Sequence, residues 1–432
     1  MMSGDRPRVV ILGGGFGGLS AARALARVAL EVTLIDRHNY HLFQPLLYQV
    51  ATAALAPNTI AAPVRAILRA QHNATVLMET VTGIDTAGRA VLIGEQRVAY
   101  DFLIAATGAR HSYFGHDEWE KFAPGIKTLF DALSIRQKVL SAFEAAEVCD
   151  DANERRRLLN FILIGGGPTG VELAGAISEL AKASLVHDFR HIDPSSARII
   201  LIEAGPRVLP TFSQKSSAAA RRALERLGVE IWTGRAVTAC DADGVEVGAE
   251  RIVAGTILWA AGVAASPIAK WLDAPADRAG RVLVCDDLSV PGHPEIFAVG
   301  DTCASQSWEG KLAPGVAPAA KQMGAYAASV IRARVERAAA PPPFRYRHQG
   351  SLATIGRNNA VADFGWVTLS GRSAWLVWSF AHIFFLIGFR SRIVVALDWL
   401  WAYATFRRGA RIILAETADA TANSRSVPQA AQ

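Results

Sequence analysis

Residues 8–28, RVVILGGGFGGLSAARALARV, combine a short apolar run, a glycine-rich turn and a helical pattern. The run predicts a buried strand, and the residues after the turn predict a helix. Gly13 permits a tight turn, Gly15 lets the backbone approach a pyrophosphate, and Gly18 lets helix and strand pack closely. A second strand, EVTLID, ends at Asp36, whose carboxylate can accept hydrogen bonds from a ribose. The stretch therefore predicts a dinucleotide-binding unit with the phosphates at the helix N-terminus.

The same pattern occurs a second time. NFILIGGGPTGVELAGAISELA carries Gly165, Gly167 and Gly170 after an apolar run, and the strand ARIILIE ends at Glu203. The second acid lies further from its glycines than the first, which predicts a longer helix and loop between them. Each unit also has a distal apolar strand, DFLIAATGA or TILWAAGVA, at nearly the same offset from its glycine loop. We interpret the two units as an internal duplication that binds two dinucleotides.

The composition narrows the class of protein. A chain of 432 residues is too long for one ordinary core, so two or three domains are expected. The four cysteines show no CxxC or CxxxxC spacing, which argues against a disulfide scaffold, a metal site and a dithiol relay. The N-terminus runs into the first strand without the apolar core of a signal peptide. Much of the excess positive charge falls in residues 372–411 beside an apolar segment, and no nucleic-acid partner is expected.

Residues 381–406, AHIFFLIGFRSRIVVALDWLWAYATF, are apolar and aromatic. The uncharged stretch 373–389 would reach roughly 25 Å as a helix, short of the ~30 Å hydrocarbon core of a bilayer, and 393–406 is interrupted by Asp398. Aromatic rings flanked by arginines suit the headgroup boundary, which favours two helices lying in one leaflet on anionic lipid. Dimer-interface helices and a true span are the alternatives. The residues predicted to contact the membrane are Trp375, Trp378, Phe384, Phe385, Arg390, Arg392, Trp399 and Trp401.

A late strand, EIFAVGD, ends in Gly300-Asp301 and has no copy in the other half. With this strand the chain resembles the flavoprotein reductases that have two dinucleotide-binding domains. Four further stretches, HLFQPLLYQVATAAL, VAPAAKQMGAYAA, GSLATIGRNNAVADFG and HIFFLIGFRSR, resemble type II NADH dehydrogenase, the single-subunit NADH:quinone oxidoreductase that pumps no protons. The resemblance covers residues 8–413.

The resemblance implies an α/β fold with two Rossmann-like domains, the NADH domain inserted into the FAD domain, and a C-terminal amphipathic-helix region that anchors the chain to a membrane. It implies a non-covalently bound FAD and NADH as substrate. The residues expected to bind FAD are Gly13, Gly15, Gly17, Gly18, Asp36, Arg37, Gln44, Val81, Thr107, Gly108, Asp301 and Ala317. Those expected to bind NADH are Gly165, Gly167, Pro168, Thr169, Gly170, Glu203 and Gly262.

Three side chains are expected to act in catalysis. By resemblance Glu172 stands near the nicotinamide and the flavin; a carboxylate that only favours the helix dipole is the alternative. Where many family members have AQxxxQ, this chain has Pro318 in place of the first glutamine, which leaves Gln322 to donate to a quinone carbonyl. Lys321 would stabilise negative charge if it points inward, or is otherwise a solvated lysine. The carboxylate of Glu203 repels a 2′-phosphate, which favours NADH over NADPH.

The expected function is transfer of a hydride from NADH to FAD and of two electrons to a membrane quinone, ubiquinone or menaquinone, at the cytoplasmic face of a bacterial inner membrane. A soluble NADH-dependent ferredoxin or rubredoxin reductase and a membrane-attached NADH-binding redox sensor are the alternatives. A homodimer through the C-terminal helices is left open. The linker 338–350 is expected to separate the C-terminal module from the body, and residues 350–369 predict a hairpin turning at Asn358-Asn359. The predicted segments are 1–118 and 269–340 for the FAD domain, 119–268 for the NADH domain, 341–416 for the hairpin and membrane-binding helices, and 417–432 for a disordered tail.

Overall fold

The computed structural model of the chain describes residues 6–405 and 408–413. The strands are β1 Arg8–Leu12, β2 Glu31–Asp36, β3 Tyr40–Leu42, β4 Ala61–Pro63, β5 Ala74–Met78, β6 Gly83–Asp85, β7 Ala90–Ile93, β8 Gln96–Ala99, β9 Phe102–Ala105, β10 Ala109–His111, β11 Asn160–Ile164, β12 Arg198–Glu203, β13 Val229–Thr233, β14 Val237–Cys240, β15 Gly244–Val247, β16 Glu250–Val253, β17 Thr256–Trp259, β18 Val263–Ala265, β19 Val282–Leu283, β20 Ser289–Val290, β21 His293–Ala298, β22 Cys303–Ala304, β23 Ser351–Thr354, β24 Ala360–Asp363 and β25 Thr368–Gly371. The helices are α1 Phe16–Ala24, α2 Leu47–Ala51, α3 Pro57–Ile60, α4 Val64–Leu68, α5 Leu129–Val148, α6 Ala152–Leu158, α7 Pro168–Glu179, α8 Gln214–Arg226, α9 Ile268–Trp271, α10 Ala317–Val335, α11 Arg372–Phe385 and α12 Phe389–Thr405.

Two sheets form the two nucleotide-binding domains. Their strand pairs are parallel except for the edge pair β20 and β21 of the first sheet, which is antiparallel. The first has the strand order β20-β21-β9-β1-β2-β5 and the second has the order β13-β12-β11-β17. In each, the strand before the glycine loop lies between the strand that ends in the acid and a strand that comes later in the chain. These strands are apolar on both faces because helices cover both sides of the sheet. The predicted α/β class, with one dinucleotide-binding domain inserted in the other, is confirmed.

The helices after the two glycine loops differ in length. The first, α1, ends at Ala24, earlier than the sequence pattern predicts, and it packs along α10. The second, α7, is longer and continues through a π-helical turn over 180–184 before a loop leads to β12. The predicted longer helix and loop therefore account for the greater distance between the second glycine loop and its acid.

The C-terminal region begins with a small antiparallel sheet. Strands β23 and β24 form the predicted hairpin, and its turn includes Asn358 at φ +61°. A third strand, β25, which the sequence did not predict, pairs with β24 and leads directly into α11. The linker prediction is wrong: the segment before the hairpin buries Phe344 and Tyr346 against the core of the FAD domain. The two aromatic side chains fix this segment to the body by burial of apolar surface.

The two C-terminal helices dock against the core that the NADH domain shares with α2 and α5. Trp378 is 2% exposed, so its prediction as a membrane contact is wrong. Its ring stacks on Trp399 with centroids 5.2 Å apart, and Trp375 and Trp399 also pack on this core. Among the other predicted contacts, Phe384, Phe385, Arg390 and Trp401 are exposed and Arg392 is half-buried. Nine exposed large side chains without a polar hydroxyl form what we call the outer face of these helices: Leu376, Phe380, Phe384, Phe385, Phe389, Ile393, Leu397, Leu400 and Trp401.

Among the described residues, no helix has both the length and the hydropathy needed to cross a bilayer. The predicted disordered tail, 417–432, lies outside the described residues.

Candidate active site

The first glycine loop is a tight turn that only glycine can form. Gly13 has φ +102°, and a Cβ there would lie 2.4 Å from the carbonyl oxygen of Ala106 on the neighbouring strand connection. A Cβ on Gly18 would lie 1.9 Å from the carbonyl oxygen of Gly13, so the loop and α1 contact each other directly. Gly15 differs, because a Cβ there would meet no protein atom within 4 Å. The loop therefore presents an open backbone surface at Gly15 beside the N-terminus of α1.

The second loop has the same geometry at the three corresponding glycines. Gly165 has φ +111°, and a Cβ on Gly170 would lie 1.8 Å from the carbonyl oxygen of Gly165. A Cβ on Gly167 would again meet nothing within 4 Å. No side chain caps the N-terminus of either α1 or α7, so the first amide groups of both helices lack a side-chain acceptor. Both loops present the same anion-binding surface for a phosphate group.

The two predicted acids occupy equivalent positions. Asp36 accepts hydrogen bonds from the amides of Gly14, at 2.6 Å, and His38, at 2.7 Å. Glu203 accepts from the amides of Gly166, at 2.5 Å, and Gly205, at 2.7 Å. Each carboxylate is thereby held beside its glycine loop with lone pairs still available for a ribose hydroxyl.

The remaining residues predicted for FAD belong to several separate segments of the chain. Gly108 has φ +69° with open space at its Cβ position, and its amide donates to Oγ1 of Thr302 at 3.0 Å. The hydroxyl groups of Thr107 and Ser266 lie 2.5 Å apart. Gly17 packs against α10, where a Cβ on Gly324 would lie 2.0 Å from its carbonyl oxygen. Of the others, Arg37 and Gln44 are exposed, and Val81, Asp301 and Ala317 are partly exposed.

These residues fit a bound FAD. Gly15 in the loop and Gly108 after β9 offer open backbone where a Cβ would meet no protein atom within 4 Å, and Asp36 offers a carboxylate for a ribose. Asp301 lies in the turn Gly300–Thr302 close to the N-terminus of α10, which begins at Ala317 without a side-chain cap. An acid for hydroxyl groups and helix N-termini for acceptor atoms form the donor and acceptor set that a flavin dinucleotide requires.

On the NADH side, the structure places the predicted residues at one edge of the second sheet. Pro168 begins α7, where a missing amide donor costs nothing, and Thr169 follows it in the first turn. Gly262 lies in the loop after β17, and a Cβ there would lie 2.5 Å from the ring of Phe114. Gly262 therefore lets Phe114, a residue of the segment that enters the inserted domain, approach the nucleotide loop.

Glu172 lies one turn into α7 and is surrounded by protein while keeping an accessible face. Burial raises the pKa of its carboxyl group to about 8, and a hydrogen bond from the Thr354 backbone opposes the shift. The buried phenol of Tyr48 is close enough for the charge of Glu172 to raise the pKa of Tyr48 further. The phenolic oxygen of Tyr48 accepts from Nε2 of Gln49 at 2.8 Å. A carboxyl group with a pKa near 8 can hold or release a proton around neutral pH.

The prediction that Gln322 donates to a quinone is contradicted by its hydrogen bonds. Its Nε2 donates to the carbonyl of Arg347 at 2.9 Å, and its Oε1 accepts from the amide of Arg347 at 2.9 Å. Both ends of the carboxamide are used to hold the extended segment 338–350 against α10. Gln322 therefore has a structural role, because it binds the backbone of Arg347 to α10.

Lys321 is half-buried, and its ammonium group lies against two aromatic rings. Its ammonium group lies 4.8 Å from the ring centroid of Phe385 and 5.3 Å from that of Phe16. Burial lowers the pKa of Lys321, and the nearby charges of Arg23 and Arg392 lower it further. The side chain therefore joins α10 to α1 and to the C-terminal helices through aromatic contacts.

Several polar residues at the site were not predicted from the sequence. His41, Tyr48 and Gln49 are buried polar side chains within the apolar stretch HLFQPLLYQVATAAL. The side chain of Arg408 is only 9% exposed and pairs with Glu179 at 3.4 Å, which ties the C-terminal segment to α7. The sequence shows these polar residues within an apolar run, but the pattern does not predict which side chains they contact. Cys303 is buried, and burial raises the pKa of its thiol to about 12, as suits a packed thiol.

Comparisons with known proteins agree with this site. Residues 7–324 match the family model of pyridine nucleotide-disulphide oxidoreductases, and residues 348–408 match the NDH2 C-terminal domain. The chain is 46% identical to the type II NADH:quinone oxidoreductase Ndh of Mycobacterium tuberculosis over 94% of this chain and 89% of that protein. It is 30% identical to a probable NADH dehydrogenase of Dictyostelium discoideum over 92% of this chain and 89% of that protein. The solved structure of NDH2 from Plasmodium falciparum with NADH has the same fold, with a TM-score of 0.85 at 23% identity over 95% of this chain and all of that one.

Each glycine loop, together with the acid beside it, forms what we call a nucleotide cradle: residues 13–18 with Asp36, and residues 165–170 with Glu203. The fold and these two cradles define a flavoprotein reductase with two dinucleotide-binding domains, FAD as cofactor and NADH as substrate. Within that class, and on the strength of the relatives above, the chain belongs to the type II NADH:quinone oxidoreductase family.

Proposed function

We propose that the chain oxidises NADH through a bound FAD and reduces a membrane quinone without pumping protons. The observation that carries the proposal is the pair of matching cradles at Gly15 and Gly167, each open to a ligand and each beside an uncapped helix. One cradle serves a resident cofactor and the other an exchangeable dinucleotide. The similarity to NADH:quinone oxidoreductases over most of the chain supports the assignment of FAD to the first cradle and NADH to the second.

The FAD cradle consists of the first glycine loop, Asp36 and the turn that contains Asp301. Amides at the N-terminus of α1 would hold the phosphate groups, and Asp36 would hold a ribose. A bound FAD would supply the chemistry that links hydride transfer from NADH to the two-electron reduction of a quinone. Thr107, on the loop after β9, and Ala317, at the N-terminus of α10, would line the cofactor in this proposal.

Glu203 and Glu172 act on the nicotinamide side. The carboxylate of Glu203, fixed by two backbone amides, accepts from two free ribose hydroxyls and repels a 2′-phosphate, which supports NADH over NADPH. Glu172, with its pKa raised to about 8, holds a proton near neutral pH that quinone reduction consumes. Lys321 contributes a positive charge on the side of α10 that faces the C-terminal helices.

The outer face attaches the enzyme to a membrane surface in this proposal. Its exposed phenylalanine, leucine and tryptophan side chains lie on two consecutive helices, and apolar side chains exposed together in this way are typical of a membrane or protein interaction surface. Arginines at 372 and 390 are exposed at the ends of the same helices and suit anionic headgroups. We place the protein at the cytoplasmic face of a bacterial inner membrane, with ubiquinone or menaquinone as the acceptor, and the same helices as the surface for any homodimer.

Two half-reactions under anaerobic conditions test the proposal. NADH added to the FAD-loaded protein is expected to bleach the flavin absorption, and a lipophilic quinone is expected to restore it. Restoration by ferredoxin or rubredoxin with none by quinone would favour a soluble reductase. Bleaching without restoration by any quinone would favour a redox sensor.

A further inference from the structure

A cavity of about 300 Å³ lies between α1, α10 and the turn that joins α11 to α12. We call it the α1–α10 cavity. Its lining residues are Phe16, Leu19, Ser20, Arg23, His41, Lys321, Phe384, Phe385, Ile387 and Arg392. It has the size of a small-ligand site and joins the nucleotide-binding body to the outer face.

Three cations from three helices converge on this cavity. Arg23 comes from α1, Lys321 from α10 and Arg392 from α12. In the described part of the chain, no carboxylate lies within ion-pair distance of any of them. Neighbouring positive charges that lack a counter-ion repel one another, and partial burial increases the repulsion. The cavity is therefore complementary to an anion.

One wall of the cavity offers a hydrogen-bond acceptor as well. His41 is 2% exposed, and its Nδ1 donates to the carbonyl of Gly14 at 2.9 Å. Its Nε2 is buried and has no hydrogen-bond partner among the described residues. Burial lowers the pKa of His41, and the charge of Lys321 lowers it further, so Nε2 carries a free lone pair at neutral pH. A ligand with a hydroxyl donor would satisfy this atom.

The rim of the cavity is apolar and continues into the outer face. Phe384 and Phe385 line the cavity and are themselves exposed, and Phe380 and Phe389 are exposed beside them. Arg392 is fixed at the rim because its Nε donates to the carbonyl of Leu386 at 2.8 Å. A ligand that carries an anionic, hydroxylated head and long apolar chains matches both parts of the surface.

We propose that the α1–α10 cavity binds the headgroup of an anionic phospholipid with a free hydroxyl, such as phosphatidylglycerol. Its phosphate would lie among Arg23, Lys321 and Arg392, its hydroxyl would donate to Nε2 of His41, and its acyl chains would lie on the exposed phenylalanines. The inference rests on the proposed attachment to a membrane surface and adds one specific lipid site to it. The site is formed jointly by the FAD domain and the C-terminal helices, so a bound lipid would hold the two together.

Lipid retention by the FAD-loaded protein in detergent tests the site, because detergent dilutes the membrane surface charge. The protein is given equal amounts of phosphatidylglycerol, phosphatidylmethanol and phosphatidylcholine, and retained lipid is measured by native mass spectrometry. One phosphatidylglycerol per chain is expected, with phosphatidylmethanol weaker because it lacks the hydroxyl. Lys321→Gln and Arg392→Gln are each expected to weaken retention about tenfold, the effect of losing a charge-assisted contact. Arg372→Gln and Arg390→Gln, at exposed arginines outside the cavity, are the matched controls.

Equal losses of lipid retention in the cavity variants and the controls would overturn the proposal, because retention would then depend on the overall positive charge of the protein and not on this cavity. Prevention of lipid retention by excess inorganic phosphate, with phosphate itself retained through Lys321 and Arg392, would assign the site to a free anion instead. Displacement of the lipid by a short-chain quinone would assign it to the quinone. Partition onto neutral vesicles is measured separately, so that failure of the lipid site is distinguished from failure of membrane attachment.

Discussion

Trp399 donates its indole N–H to Oε1 of Gln49 at 2.8 Å, which ties the last helix to α2. Gln49 is itself buried and donates to the phenolic oxygen of Tyr48. The bond orients α12 so that Trp399 faces the core while its neighbours Leu400 and Trp401 face outward. Attachment of the C-terminal module is therefore specified by a polar contact within an apolar interface.

Trp399→Phe tests this attachment. The variant keeps the aromatic packing but leaves the buried Oε1 of Gln49 without its donor, so the free energy of unfolding should fall by about 1–2 kcal/mol. Urea denaturation of the FAD-loaded protein measures the change. Trp401→Phe, at a side chain 63% exposed, is the matched control and should change stability by no more than about 0.5 kcal/mol. Equal losses in both variants would show that the hydrogen bond contributes nothing.

Gly15→Ala and Gly167→Ala test the two cradles separately. Both positions have negative φ, and an added Cβ would meet no protein atom within 4 Å. The folded chain should therefore accept either change, and only the ligand should clash with the methyl group. Gly15→Ala should weaken FAD binding about tenfold or more, whereas Gly167→Ala should keep FAD and weaken NADH binding by a similar factor.

Flavin content and NADH titration measure these two effects, with thermal unfolding as the control for folding. If Gly167→Ala released FAD while Gly15→Ala retained it, the assignment of the two cradles would be reversed.

Glu172→Gln tests the raised pKa. The pKa of Glu172 is higher in the folded protein, about 8, than the ordinary value of 4.5. Between those values the folded state holds a proton that the unfolded state has released, so the contribution of Glu172 to stability falls as pH rises. The slope is about 1.4 kcal/mol for each pH unit in that window. Glutamine does not titrate, so the variant should gain stability over the parent protein as pH rises.

Urea denaturation at about pH 5 and about pH 8 measures the difference between the two proteins. Glu225→Gln, at an exposed carboxylate of α8, is the control and should show no such trend. A difference that stays constant with pH would mean that the pKa of Glu172 is ordinary.

Leu397→Asp tests the outer face. Leu397 is 58% exposed on α12, so the change should leave the fold intact while placing a charge where lipid contact is proposed. Partition onto vesicles should fall about tenfold or more, because one leucine contact is lost and a carboxylate must stay hydrated. Val148→Asp, at a residue 81% exposed on the end of α5, should leave partition unchanged. Unaltered sedimentation of Leu397→Asp with vesicles would contradict the proposal that the outer face contacts the membrane.

The nucleotide-binding units could be predicted because the interactions that form them involve residues close together in the sequence. A parallel strand covered on both faces is a short apolar run, and the loop after it needs glycine at Gly13 and Gly18 for steric reasons visible in the spacing. The hairpin at Asn358 was predicted for a similar reason, since its strands alternate and its turn tolerates a positive φ. These features depend on neighbours in sequence.

Other features depend on packing between distant segments, and the sequence did not determine them. The aromatic residues of the C-terminal helices indicated an apolar environment, but the pattern did not distinguish Trp378, which faces the protein core, from Phe384, which faces outward. The carboxamide of Gln322 was expected at a quinone because nothing in the sequence revealed that Arg347 would occupy both of its ends. The free Nε2 of His41 arises in the same way, from β3 meeting the glycine loop.

Steady-state NADH oxidation by the FAD-loaded protein tests the identity of the electron acceptor, with either a lipophilic quinone confined to vesicles or ferredoxin in solution. We expect rapid oxidation of NADH with the vesicle-confined quinone and a much lower rate with NADPH. We also expect Leu397→Asp to lose activity with this quinone but not with a water-soluble dye. Turnover with ferredoxin together with inactivity toward the vesicle-confined quinone would contradict the assignment of a membrane quinone as the acceptor.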